Sequence, residues 1–449
     1  MSLSTQPYKG ARDFYPEDKR LQKYMFSKMR LAAERFGYEE YDAPILEPTE
    51  LYLSKGNQEI IDEQTYTFLD RGERSVTIRT EMTPTVSRMV AGRRQELAYP
   101  VRWYSIPNLW RYERTQRGRL REFWQFNADI FGIEGVEAEH EAILMADQIM
   151  RSYGATHEMY VIQISSRKLI EELFSEYLGL DNTQKDTLIR LIDRMKKIPY
   201  ETFVAHADAV LTPTQRETGV LDSLMQLLKA TKVEHLPSGF VNRPSVQRLQ
   251  QLMNMLAESR ITNAKFDITL MRGFDYYTDM VFEVADTDPE NNRSMFGGGR
   301  YDGLVGMFGV EPVPTVGFAM GDVTLQNFLE SHDLLPKLHP ETDAYVILIG
   351  EGTYEKAQHT IAELREMGLN IAVDSSGRKL EKQIKTAVKK GLHYAIFIGE
   401  AELASGQFKL RNLVDGTEEA HGLQRIVSIA KDRRHVGETP KDDEDIDLL

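Results

Sequence analysis

The sequence predicts an α+β protein: a domain built on an antiparallel sheet with flanking helices, a helical insertion within that domain, and a smaller α/β domain behind it. Three observations predict this. Strand-length apolar and aromatic pieces with mostly hairpin-length connections follow a first helix, helical periods fill the middle of the chain, and strand alternates with helix in the last quarter. The 449 residues suit two to four domains, and 41% hydrophobic residues can fill their cores.

Residues 20–37 (RLQKYMFSKMRLAAERFG) set Leu21, Tyr24, Met25, Met29, Leu31 and Phe36 near helical spacing, with Gly37 as the stop. YDAPILEP is short, apolar and bounded by proline, and YTFLD, RSVTIRTE and VRWYSI carry the β-branched and aromatic residues of strands. REFWQFNADIFG reads as a strand with Phe123, Gln125, Asn127 and Asp129 on one face and Trp124, Phe126, Ala128 and Ile130 on the other. From about 136 to 260 the text turns to helical periods such as KLIEELFSEYLG and KDTLIRLIDRMKK, and the insertion itself is assigned to about 168–260. Strands resume with AKFDITL and DMVFEVAD, FGGGRYDG reads as a Gly-rich turn, and VPTVGFAMGD leads into another helix. Two prolines mark a linker at 331–342. Beyond it AYVILIG, YEKAQHTIAELREMG, NIAVD, RKLEKQIKTAVKKG and YAIFIG read as an α/β domain over 343–435 with a mainly parallel sheet. The last fourteen residues, 436–449, hold six acidic residues and one lysine and read as a solvated tail.

A chain with no cysteine has no disulfide, no thiolate zinc site, no iron–sulfur cluster and no cysteine nucleophile. With no signal-length apolar core at the N-terminus and no apolar run of about 18 residues, the reading is a soluble, cytoplasmic protein away from membranes. The 69 acidic against 55 basic residues, a net charge of −14, argue against indiscriminate coating of nucleic acid. Where the charges sit therefore matters more than their sum.

The densest basic cluster is Arg102 to Arg121, with six arginines and one acid, Glu113. Arginine forks suit bidentate phosphate contacts, and WRYERTQRGRLREF has the form of strand, loop, strand with Gly118 at the bend. Arg111 and Glu113 share one face of that strand; taken alone, the segment is equally consistent with a solvated hairpin. In MRGFDYYTDMVFE, Arg272 precedes Gly273 and a Tyr276–Tyr277 pair. Adjacent tyrosines in a strand point to opposite faces, so one at most should line a given pocket, and aromatic core packing explains the segment as well. FGGGRYDG is neither a Walker A loop nor a dinucleotide fingerprint. Histidines form no His-Glu-x-x-His pair, so no dedicated metal site is expected.

In combination these segments resemble the class II aminoacyl-tRNA synthetases and, within them, the histidyl-tRNA synthetase family. The resemblance runs through GARDFYPED, YDAPILEPTELY, RTEMTP, WRYERTQRGRLREFWQF, MRGFDYYT and GGGRYDGLV into the C-terminal domain, and so covers nearly the whole chain in order. RGFDYY and GGRYDGLV are the pieces specific to the histidine enzymes. The resemblance implies a catalytic domain over 1–330 on a six-stranded antiparallel sheet, the class II synthetase core, with an anticodon-binding domain at 343–435. It also implies a homodimer, with the helix at 20–37 and YDAPILEP at the interface.

The implied reaction is attack of the L-histidine carboxylate on the α-phosphorus of ATP, followed by transfer of histidine to tRNA(His). ATP would come with Mg²⁺ on its outer phosphates, and no tightly bound cofactor is implied. By resemblance Arg111 and Arg272 are the catalytic arginines on the α-phosphate and the substrate carboxylate, and Glu113 lies near the adenine. Glu81, Thr83 and Gln125 surround the α-amino group, while Asp129 and the Tyr276–Tyr277 pair meet the imidazole. Gln116 and Arg117 match positions that meet the tRNA acceptor end. Two departures stand out: Asp129 replaces the family's usual Glu, and Thr324 stands where many members carry an ATP-binding arginine. Arg119 and Arg121 are then the candidates for the adenine and γ-phosphate.

The stretch 377–411 holds eight Lys/Arg against three acids, a basic patch suited to a tRNA stem, although KLEKQIKTAVKK alone reads better as a solvated helix face. The rival reading is a histidine-sensing regulatory subunit of ATP phosphoribosyltransferase. The arginine pair and the basic C-terminal domain oppose it. A third reading, an RNA-binding module without catalysis, leaves the Arg272-to-Tyr277 constellation unexplained.

Overall fold

A computed structural model describes residues 3–53, 64–271, 276–291 and 294–432. The chain divides into two compact units, Met1–Asp13 with Tyr24–Leu334, and Phe14–Lys23 with Leu335–Leu449. The first helix runs Pro16–Arg35, a turn earlier than its apolar spacing alone places it, with Pro16 opening it and Glu17 and Asp18 in the first turn complementing the helix dipole.

Twelve described strands build the first unit: β1 (Glu39–Glu40), β2 (Leu46–Pro48), β3 (Tyr66–Leu69), β4 (Ser75–Ile78), β5 (Val101–Ser105), β6 (Asn108–Trp110), β7 (Glu122–Phe131), β8 (Tyr160–Ser166), β9 (Ala264–Phe266), β10 (Met280–Asp286), β11 (Ser294–Arg300) and β12 (Thr315–Gly321). The main sheet has the order β1-β5-β7-β12-β11-β10-β8-β9, with β6 also paired to β7. Its central run β5-β7-β12-β11-β10-β8 is antiparallel throughout, which is the expected six-stranded sheet. Short parallel strands at the two edges, together with β6, raise the total to nine among the described residues. β2, β4 and β3 form a separate antiparallel sheet.

One face of β7 is core: Phe126, Ala128 and Ile130 are buried, and Phe126 packs its ring against Tyr104 and Phe318. The alternate residues face the cavity described below. Helix Glu137–Ser152 contributes Ile143, Met145 and Ile149 to the core. Arg300 at the end of β11 is locked to the start of this helix. It donates to Glu139 twice, at 2.7 and 2.6 Å, and to the carbonyls of Ile133 and Gly135.

Three expectations need correction. FGGGR is a central strand, β11, and not a turn. A Cβ at Gly297, Gly298 or Gly299 would sit 2.5, 2.2 and 2.5 Å from the carbonyl oxygens of Phe282, Gly317 and Met280, so glycine here serves close backbone approach. Within the stretch from 136 that reads as helical, Tyr160–Ser166 (YVIQISS) is strand β8 of the main sheet, its β-branched alternation outweighing the helical text around it. The C-terminal sheet is mixed and not mainly parallel.

Residues 167–263 leave the sheet after β8 and return at β9. They hold helices Arg167–Glu172, Asn182–Asp193, Tyr200–Val210, Pro213–Glu217, Val220–Leu227 and Pro244–Glu258. Asp181–Gln184 and Thr212–Gln215 are capping boxes that start two of them. In the second unit the strands are β13 (Ala344–Leu348), β14 (Ile371–Val373), β15 (Tyr394–Ile398), β16 (Phe408–Asn412) and β17 (Glu418–His421), in the order β14-β13-β15-β16-β17. β13 pairs in parallel with β14 and β15, but β16 and β17 add on antiparallel. The hairpin FKLRNLVDGTEEAH lacks the long crossover that a parallel pair needs. Val346, Ile361, Leu364, Ile396, Ile398 and Ile426 form this unit's core. On helix Leu380–Lys389 the side chains of Lys382, Lys385 and Lys389 are exposed. No helix among the described residues is long and apolar enough to cross a membrane.

The glycine strand makes a direct prediction. Gly298→Ala is expected to destabilise the protein by about 1–3 kcal/mol through overpacking against β12. Thermal denaturation measures it, and an unchanged midpoint would show that the strands have room to part.

Candidate active site

A cavity of about 1090 Å³ opens in the first unit, over one face of the main sheet. Phe123, Gln125, Asn127 and Asp129, alternate residues of β7, all line it, as their spacing in a strand requires. Glu81 and Thr83 reach it from the start of helix Thr83–Gly92, and Arg111, Glu113 and Arg119 from the arginine hairpin. Tyr276 and Tyr277 both line it, against the expectation that only one would. They precede β10 in irregular backbone, so the alternation of a strand does not separate them, and their rings lie 5.0 Å apart.

At one end sit two buried carboxyl groups among tyrosines. Tyr301 donates its hydroxyl to Asp129, and Tyr276 donates to Glu81 at 3.3 Å. Burial pushes Asp129 up to about 7, against the Tyr301 hydrogen bond, which favours the charged form. Glu81 is likewise pushed up to about 7 by burial, partly offset by the Arg111 charge and the Tyr276 hydroxyl. Both groups therefore stand at the edge of ionisation near neutrality, where an incoming ammonium group favours the carboxylate form. Tyr301 is the residue that the sequence reading left without a role. It directly follows β11, which pairs with β12, and β12 in turn pairs with the β7 strand that carries Asp129.

At the hairpin, Arg111 donates Nε to the Thr80 carbonyl at 3.0 Å and lies 5.3 Å over the Phe123 ring. Its guanidinium is 3.9 Å from Glu113, which also takes a contact from Arg119 at 3.4 Å. The regular strand β6 ends at Trp110, so Arg111 and Glu113 reach the cavity from the extension of the hairpin and not from one strand face. Arg121 is not among the cavity-lining residues: it donates Nε to the Glu113 carbonyl and stacks 4.0 Å over Tyr112. Gln116 and Arg119 bridge across the loop, Gly118 takes φ +80 at its bend, and Arg117 donates to Ser331 at 3.4 Å. Gln116 and Arg117 also lie off the cavity wall. Arg272 falls outside the described residues.

Thr324 lines the cavity and donates its hydroxyl to the Met295 carbonyl at 2.9 Å. Beside it Asp322 accepts from Arg12 at 2.6 Å and from the Trp124 backbone at 3.0 Å, which ties GARDFYPED to the cavity wall. Arg12 and Asp322 were not singled out from sequence, since 310 residues separate them.

A six-stranded antiparallel sheet whose face carries a polar cavity, entered by an arginine hairpin and followed by a separate α/β unit, is the class II aminoacyl-tRNA synthetase architecture. Comparison with known proteins narrows the class. The family model described as histidyl-tRNA synthetase matches residues 10–324, and an anticodon-binding domain model matches 343–433. The chain belongs to the histidyl-tRNA synthetase family. It is 38% identical to a histidine–tRNA ligase of Leptospira biflexa over 414 residues, 92% of this chain and 94% of the relative. It is 35% identical to that of Thermoplasma volcanium over 426 residues, 95% of this chain and 98% of the relative. Its fold is similar to the crystal structure of histidyl-tRNA synthetase from Nostoc sp. PCC 7120, with a TM-score of 0.81, 22% identity, and coverage of 96% of this chain and 100% of that one. A Bacillus halodurans structure described as an ATP phosphoribosyltransferase regulatory subunit/histidyl-tRNA synthetase follows at a TM-score of 0.73 and 21% identity, covering 89% of this chain and 99% of that one.

The raised carboxyls have a pH signature. Between about pH 4 and 7 the folded protein keeps protons on Asp129 and Glu81 that the unfolded chain has released, so these groups make stability fall as pH rises through that window. Asp129→Asn and Glu81→Gln should flatten this fall, measured as the thermal midpoint between about pH 5 and 8. Unchanged slopes would mean that neither group holds its proton in the native state.

Proposed function

We propose that the chain is a histidine–tRNA ligase that activates L-histidine with ATP and passes it to the 3′ end of tRNA(His). The observation that carries this reading is one cavity lined both by buried acids with tyrosine partners and by Arg111 and Glu113. The three donors of the substrate ammonium find acceptors in Glu81, Thr83 and Gln125. Neutral imidazole offers one donor and one acceptor, and Asp129 with Tyr276 and Tyr277 supply partners of both kinds. The Tyr301 hydroxyl holds Asp129 in orientation. The histidine carboxylate oxygen bonds to the α-phosphorus while the bond to pyrophosphate breaks. Charge grows on the phosphoryl oxygens, where Arg111, fixed by Thr80 and Phe123, stabilises it, with Arg272 the second catalytic arginine that the sequence resemblance implies.

Glu113 and Arg119 border the adenylate, with Arg121 behind them buttressing the hairpin through Tyr112. Gln116 and Arg117, exposed on the loop, suit the acceptor end, and the lysines of helix Leu380–Lys389 suit the tRNA backbone. Mg²⁺ would be held chiefly by the outer phosphates of ATP with one or two carboxylates, and Glu113 and Glu283 are carboxylates on the cavity wall that fit it. Exposed Ile45, Leu46, Phe68 and Leu69 on the small sheet β2-β4-β3 support a homodimer that covers them. We assign the protein to the cytoplasm, where its tRNA substrate resides. The regulatory-subunit reading has no comparable support, since the match at 343–433 to an anticodon-binding domain belongs to a tRNA ligase.

Histidine-dependent ATP–pyrophosphate exchange tests the proposal: purified protein that binds histidine without exchange would overturn it. Arg111→Ala and Arg272→Ala are each expected to lower exchange by about 100-fold or more with the fold intact. Asp129→Ala should raise the KM for histidine and relax selectivity, and normal histidine binding in that variant would remove Asp129 from the imidazole site.

A further inference from the structure

The cavity wall has a third contributor, the helical insertion. Arg190, on the last turn of helix Asn182–Asp193, and Arg194 and Lys197 just after it all line the cavity. Their spacing of four and three residues places them along one face of a helical stretch. Among the described residues none of the three side chains makes an ion pair or a hydrogen bond.

The other described cations near this cavity are committed. Arg111 is bonded to the Thr80 carbonyl and faces Glu113, Arg119 faces Glu113, Arg12 is paired with Asp322, and Arg167 has a partner of its own. Thr324 adds no charge and turns its hydroxyl to a backbone carbonyl. Asp193, the acid on this stretch of wall, is also engaged. A ligand rich in phosphate that enters this cavity therefore meets uncommitted positive charge, among the described residues, on the insertion. The volume of about 1090 Å³ exceeds what an amino acid fills and leaves room for a nucleotide beside it.

We propose that Arg190, Arg194 and Lys197 form a cationic rim that holds the β- and γ-phosphates of ATP. This deepens the ligase reading and rests on it. All three side chains are exposed yet line the same cavity as Arg111 and Glu81, which puts them within the space a nucleotide occupies. The rim binds the part of ATP that leaves as pyrophosphate, so it acts on nucleotide binding and on release of that product. It is a binding element and not part of the acid and tyrosine end.

The test uses full-length protein in pyrophosphate exchange without tRNA. Arg190→Gln, Arg194→Gln and Lys197→Gln combined should raise the KM for ATP about tenfold or more. The KM for histidine, the affinity for AMP, which lacks the outer phosphates, and the melting temperature should hold. The single variant Arg194→Gln and the charge-conserving Arg190→Lys with Arg194→Lys guard against a folding defect; the first should show a smaller rise and the second should recover most of the loss. An unchanged KM for ATP alongside a raised KM for tRNA in aminoacylation would overturn the rim in favour of an RNA contact. Wild-type protein without any exchange would instead overturn the ligase reading.

Discussion

The cavity depends on a steric constraint in its floor: side chains must be missing where strands carry the reactive groups. Gly317 on β12 stands opposite Asp129 on β7, and a Cβ there would lie 2.1 Å from the Asp129 carboxylate oxygen. The next strand, β11, sets Gly299 opposite Gly317 and carries Gly298 and Gly297 beside it, each in close approach to a neighbouring carbonyl. Glycine inside strands lowers stability, by about 0.5–1 kcal/mol each relative to alanine. The compensation lies at the end of the same strand, where Arg300 is anchored by Glu139 and two carbonyls, and on the opposite face of the sheet, where aromatic packing is dense.

On this floor the charges are sorted by their surroundings. Burial pushes Asp129 and Glu81 each up to about 7, and each has a tyrosine hydroxyl as its partner. The cations at the hairpin have carboxylate or carbonyl partners that fix their direction. Buried carboxyls with hydroxyl partners and arginines of fixed direction thus line one cavity.

Much of this was legible in the sequence where local rules suffice. The alternation of β7 put Gln125 and Asp129 on one face, and both line the cavity. The arginine hairpin and the alternating C-terminal unit were equally plain. What failed was non-local. Consecutive glycines favour turns by local rules, and only pairing with β10 and β12 makes β11 a strand and brings Tyr301 to Asp129. The Arg12 pair with Asp322 and the arrival of Arg190 at the same wall as Arg111 join segments far apart in the chain, and no short-range pattern announces them. The Tyr276–Tyr277 pair misled because period-two reasoning holds only inside a strand.

The route of the insertion bears on how such a chain can vary. β8 and β9 lie side by side in parallel, with Ile162 opposite Ala264 and Ile164 opposite Phe266. Any parallel pair needs a crossover of at least about a dozen residues, so the sheet requires a connection here but sets no upper limit on its length. Residues 167–263 are that crossover, enlarged into a helical body that returns to the strand it left. Its last helix, Pro244–Glu258, is tied to the rest of the unit through Arg248, which pairs with Glu139 and Asp279, so variation is freest in the helices between Asn182 and Leu227. This edge of the sheet is thus the place where a chain of this fold can acquire new recognition surface without disturbing the glycine floor.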